Sequence, residues 1–113
     1  MLHRMKRRAL PLAAATVFVF GIGAYAGAAA PDAVTIANFA FSPTPLTVAP
    51  GTKVTWDNTD DEPHTVVSAD GGKTFKSAAL DTDDKFSFTF SKSGTYKYFC
   101  SIHPRMVGTV IVK

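Results

Sequence analysis

In the segment Cys100-Ser101-Ile102-His103-Pro104-Arg105-Met106, two residues separate the cysteine from the histidine, and two more separate the histidine from the methionine. A second histidine stands upstream in Glu62-Pro63-His64-Thr65. A cysteine thiolate and two neutral imidazoles make a soft trigonal donor set that suits copper, and a weak thioether on the axis helps set a redox potential. Singly, each residue has an ordinary explanation. A lone Cys is often a small buried hydrophobe, a lone Met core filler and a lone His a satisfied polar group. The joint spacing on one short loop argues for a metal site instead. Beyond residue 30 the chain holds one Cys, one Met and two His, so His64, Cys100, His103 and Met106 exhaust that inventory. Zinc is the competing metal, but its sites seldom recruit Met, and copper binds such sites more tightly.

These side chains need a scaffold that brings a loop and a distant histidine together. Tyr96, Tyr98 and Cys100 alternate with Thr95, Lys97 and Phe99, which places Cys100 on the core face at the end of a strand. Gly108 to Val112 reads as the last strand, so the ligand loop joins two strands. Phe86, Phe88 and Phe90 alternate with Ser87 and Thr89 in the clearest strand of the chain. Val54 and Trp56 point one way in another, with Asn58 on the same apolar face, where it must be hydrogen-bonded. Val34 to Ile36 and Phe39 to Phe41 suggest a first strand with an irregular middle, broken by Pro43 to Pro45. Leu46 and Val48 precede a turn at Ala49-Pro50-Gly51. Residues 69–84 read as a connection around a short apolar patch at Phe75 and Leu80. No long helix is expected, and the pattern is that of a small antiparallel β-sandwich.

The N-terminal part is of another kind. Arg4, Lys6, Arg7 and Arg8 precede an apolar run from Ala9 to Tyr25 and the small residues Ala26 to Ala30. This is the order of a secretory signal peptide, residues 1–30, with cleavage near Ala28 to Ala30. The alternative is a retained membrane anchor, since Ala9 to Ala30 is uncharged and about as long as a spanning helix of ~20 residues. Either way the protein is periplasmic or otherwise exported, anchored facing the exported side if the segment stays. Removal of residues 1–30 leaves eight basic against nine acidic residues, so the overall net charge of +3 belongs to the leader. A nucleic-acid partner argued from basicity is excluded. Residues 31–113 suffice for one small domain, which no disulfide can staple because Cys100 has no partner cysteine.

The chain resembles the cupredoxins, the type 1 (blue) copper proteins, and among them the plastocyanin and amicyanin group. The resemblance rests on Val54-Thr55-Trp56-Asp57-Asn58, Pro63-His64, Gly94 to Cys100, and the Cys100 to Met106 loop running into Gly108-Thr109-Val110. Two residues between His103 and Met106 look like amicyanin. The resemblance implies a Greek-key sandwich with copper near one end and the ring edge of His103 close to the surface. It also implies that the chain around Thr65 hydrogen-bonds the Cys100 sulfur and ties the two ligand loops together. The family often has Asn where this chain has Thr65, and Phe99 stands where plastocyanin presents an exposed Tyr, leaving His103 as the electron route.

The function expected is a monomeric carrier of single electrons between redox proteins, such as a cytochrome c or a dehydrogenase, which dock transiently around His103. Ile102, Pro104, Arg105 and Pro63 are expected to frame that surface. Asp57, Asp60, Asp61 and Glu62 either steer a basic partner or form a solvated acidic loop. Copper storage or delivery is the alternative, although paired-Cys and Met-rich sites are missing from the sequence. An enzyme is not expected: no histidines remain for further copper centres, and Ser101 reads as a loop hydrogen-bonder rather than a nucleophile.

Overall fold

A computed structural model describes residues 32–113, so the expected signal segment lies outside the described residues. Eight strands follow in order: β1 (Ala33–Ala37), β2 (Ala40–Ser42), β3 (Leu46–Val48), β4 (Thr52–Asn58), β5 (Val67–Ser68), β6 (Lys85–Phe90), β7 (Gly94–Phe99) and β8 (Val107–Val112). They form two four-stranded sheets, ordered β2-β1-β4-β6 and β3-β8-β7-β5. Among the described residues there is no helix. The β-sandwich expected from alternation is therefore present.

The antiparallel pairing expected holds for four of the six strand pairs and needs correction for the other two. β1 runs parallel to β4, and β3 runs parallel to β8, so both sheets are mixed. Alternation reports that one face of a strand is buried, but it carries no information on the direction of the neighbour. The N-terminal stretch is split: β1 and β2 form a hairpin in the first sheet, and β3 joins the edge of the second. Pro43 and Pro45 occupy the passage between them, where a missing backbone N–H disrupts no ladder.

The core lies between the sheets. Val34, Ile36, Val54 and Trp56 from the first sheet and Tyr98, Val110 and Val112 from the second are all essentially buried. Each such apolar side chain contributes roughly 1.5–3 kcal/mol over leaving it exposed. Trp56 meets Tyr98 edge-to-face across the sandwich, with ring centroids 5.4 Å apart at 85°, a contact worth about 0.5–1.5 kcal/mol beyond burial. Phe90 is buried, whereas Phe86 and Phe88 are only half-buried because β6 is an edge strand. Phe75, from the 69–84 connection, packs over them, 5.1 Å from Phe88 and 6.4 Å from Phe86. That connection has no strand of its own, yet Leu80 exchanges backbone hydrogen bonds with His64 at 2.7 and 3.1 Å. It thus fixes the backbone at the upstream histidine.

Candidate metal centre

β7 ends at Phe99 and delivers Cys100, fully buried, to one end of the sandwich, and β8 begins at Val107. The intervening loop closes on itself. Cys100 N–H donates to the Met106 carbonyl at 3.0 Å, and Met106 N–H donates to the His103 carbonyl at 2.8 Å. These bonds make Cys100, His103 and Met106 parts of one tight turn, with Met106 buried.

His64 enters from the other side, completely buried at the end of the loop that follows β4. Asn58 shapes that loop, as its place on the apolar face requires. Its amide donates to the carbonyls of Glu62 at 3.0 Å and Leu80 at 2.8 Å, and its carbonyl oxygen accepts from Asp60 N–H at 2.9 Å. So fixed, the loop turns the Asp60 carboxylate inward, 2.9 Å from His64 Nε2. An ionised carboxylate only accepts, so Nε2 carries the proton and the Nδ1 lone pair is free for a metal. Asp60 also accepts the backbone N–H of Phe39 at 3.0 Å. That bond, and then the bond from His64, hold its carboxyl below the usual carboxylate range.

The donor atoms of His64, Cys100 and His103 converge. They lie within 4.8 Å of one another, and Cys100 Sγ is 3.8 Å from His64 Nδ1 and 3.9 Å from His103 Nδ1. Metal bonds of roughly 2.0 Å to nitrogen and 2.3 Å to sulfur separate trigonal donors by about 3.7 Å, so both pairs fit a shared ion better than a direct bond. Burial pushes the Cys100 thiol up, but the N–H groups of Thr65 and His103 and the two imidazoles outweigh it and bring the group down to about 6. The two N–H groups lie 3.3 and 3.4 Å from the sulfur, and both favour thiolate.

Thr65 ties the ligand loops as expected, by a route of its own. Its hydroxyl accepts the Ser101 N–H at 2.7 Å and meets the Ser101 hydroxyl at 2.8 Å. A hydroxyl has one proton and two acceptor sites. When Ser101 donates both bonds, the Thr65 proton is left to point at Cys100 Sγ, 3.8 Å away. Ser101 is the loop hydrogen-bonder that the sequence suggested.

Two contributors were missed. Phe39, at the β1–β2 turn, packs edge-on against His64 and His103 with centroids 5.4 and 5.1 Å away. It lines the groove beside His103 together with Ile102, Pro104, Arg105 and Met106. Pro63, expected there, is not among the lining residues. Asp60 is no free steering charge but a partner of His64. Its spacing of four residues before His64 was the available signal. Asp57, from the same acidic run, lies 3.6 Å from Lys85.

The sequence profile of a family described as copper binding proteins, plastocyanin/azurin family, matches residues 29–113. The chain belongs to that family. This cupredoxin is 35% identical over 83 residues to amicyanin-alpha of Methylorubrum extorquens, covering 71% of this chain and 70% of that one. It is 34% identical over 88 residues to plastocyanin of Sambucus nigra, covering 66% and 89%. A purple cupredoxin from Nitrosopumilus maritimus superposes with a TM-score of 0.68 at 38% identity, covering 72% of this chain and 98% of that one. The Cu(I) form of an amicyanin mutant superposes at 0.64 with 38% identity, covering 72% and 80%. As a cupredoxin the chain is a blue copper electron-transfer protein, and its donor set takes one copper ion.

Proposed function

We propose that this cupredoxin is exported and shuttles single electrons between redox proteins, with His64, Cys100, His103 and Met106 holding its copper. The convergence of two Nδ1 atoms on one buried sulfur carries this reading. Copper, when bound, supplies a reversible one-electron couple. The protein supplies a donor set fixed by bonds of its own: Asp60 to His64, Thr65 to Ser101, and the closed turn from Cys100 to Met106. Such bonds do not depend on oxidation state, so ligand movement during transfer is kept small.

Electrons pass by way of His103. It is the half-buried histidine, whereas His64 is sealed. Exposed Ile102 and Phe39 with Pro104 give its surroundings an apolar character, and Arg105 supplies a charged edge. A patch of this kind suits a transient encounter with a cytochrome c or a dehydrogenase, whose interfaces are small. The remaining exposed acids, Asp61 and Glu62, are available for steering. Rates that do not change with ionic strength would remove that role.

Adding Cu(II) to the purified protein is the direct test. An intense visible thiolate-to-copper band, abolished by Cys100→Ser, is expected, and a colourless complex overturns the ligand assignment. Export is tested separately by the mature N-terminus: a protein beginning at Ala29, Ala30 or Pro31 supports cleavage, and an intact membrane-bound chain supports the anchor.

A further inference from the structure

Ala37 pairs with Ala40 across the first hairpin, so Asn38 and Phe39 form a two-residue turn. Both have left-handed backbones, with φ of 51° and 58°. This is the pattern of a type I′ turn, in which Asn followed by Gly is the favoured pair because the second residue must take a positive φ. Asn38 fits. Phe39 stands where glycine belongs, and a bulky residue there is a conformational outlier. Burial does not compensate for it, because Phe39 is 49% exposed.

The ring's contacts lie at the metal centre. It packs at 89° against His64 and 87° against His103, while its own backbone N–H donates to the Asp60 carboxylate that holds His64. One strained residue therefore touches both histidines and the carboxylate partner of one of them. Strain of this kind persists where surrounding structure imposes it, and it clusters at functional sites.

We propose that Phe39 is a positioning residue of the copper site: its ring wedges across His64 and His103 and closes the groove side of the donor set to small exogenous ligands. The inference rests on the ligand assignment proposed above. Glycine at position 39 fits the turn but leaves the histidines unscreened. Any L side chain there keeps the strain, so the hairpin alone gives no reason for a phenylalanine.

The test compares the full-length wild type, Phe39→Gly and Asn38→Gly, each without metal and loaded with Cu(II), titrated with azide and followed by visible and electron paramagnetic resonance spectroscopy. Phe39→Gly is expected to bind azide at least tenfold more tightly than the wild type. Its metal-free melting temperature is expected to stay level or rise, because glycine relieves the turn. Asn38→Gly loosens the other residue of the same turn but keeps the ring, and it is expected to exclude azide as the wild type does. Equal azide affinity in Phe39→Gly and wild type overturns the proposal, as does an Asn38→Gly variant that admits azide as freely as Phe39→Gly. A wild type lacking the thiolate band fails at the earlier step, the ligand assignment, and is told apart by that absence.

Discussion

Asp60 Oδ2 lies 2.9 Å from His64 Nε2, and through this one contact an exposed acidic loop sets the proton position on a completely buried imidazole. Outer partners of this kind orient a ligand and raise its basicity, and their loss typically lowers metal affinity about 10- to 100-fold. Asp60→Ala is therefore expected to weaken copper binding within that range, measured by competition with a chelator. Asp60→Asn keeps an acceptor but not the charge, so it should fall between. A neutral partner makes His64 a poorer donor to Cu(II), so the reduction potential should rise in both variants. An unchanged affinity in Asp60→Ala would reduce the contact to loop packing.

Thr65 joins the two ligand-bearing segments through Ser101. Thr65→Val keeps the shape but removes the acceptor of the Ser101 N–H. Ser101 is exposed and regains part of the bond from water, so the loss is that of an ordinary hydrogen bond, about 0.5–1.5 kcal/mol. Denaturant unfolding of the metal-free protein should show a loss of that order, and Thr65→Ser should recover most of it.

The proposed ligand set rests on spacing and scarcity in the sequence, with one Cys and one Met on a single loop and two His beyond residue 30, and the structure brings the donor atoms of His64, Cys100 and His103 together. The buried side of β4 was legible for the same local reason, as Val54, Trp56 and Asn58 show. Phe39 was not legible. Its role depends on a left-handed turn and on the docking of the first hairpin against a loop more than sixty residues later. The parallel pairings of β1 with β4 and β3 with β8 were hidden as well, because strand direction is settled by crossovers rather than by side-chain alternation. Asp60 stands in the sequence as one charge among four, and its spacing of four residues before His64 is the one sign that it turns inward.

Gly108 pairs directly with Tyr98 in the β7–β8 ladder, and a Cβ at this position would overlap the Tyr98 ring. Tyr98 cannot yield easily, being 1% exposed and packed against Phe41, Trp56 and Phe75. Forcing extra atoms into such a core costs typically 1–3 kcal/mol. Gly108→Ala should lower the melting temperature of the metal-free protein, with the loss in that range by denaturant titration. A neutral outcome would mean that the ring has room to move.

Asp70 organises the turn after β5 through uncharged donors. Its carboxylate accepts the hydroxyls of Ser68 and Thr74, each at 2.6 Å, and the N–H groups of Lys73 and Thr74 at 2.9 and 3.3 Å. The Ser68 hydroxyl, followed by that of Thr74, holds the carboxyl far below the usual carboxylate range. The folded state therefore binds this proton less readily than the unfolded chain, whose Asp titrates near about 3.9. The resulting stability is fully present above that value and is lost as pH falls through it toward the folded pKa. Asp70→Asn lacks the titration. The stability gap between wild type and variant should be constant from neutral pH to about pH 5 and narrow below it, with Asp60 and the other carboxylates common to both proteins and cancelling in the difference. Denaturant unfolding of the metal-free proteins between pH 7 and pH 3 measures the gap. Because the donors are hydroxyls and amides rather than lysines, the gap should persist in high salt, which screens exposed ion pairs. A gap that is independent of pH would show that the turn holds without the charge.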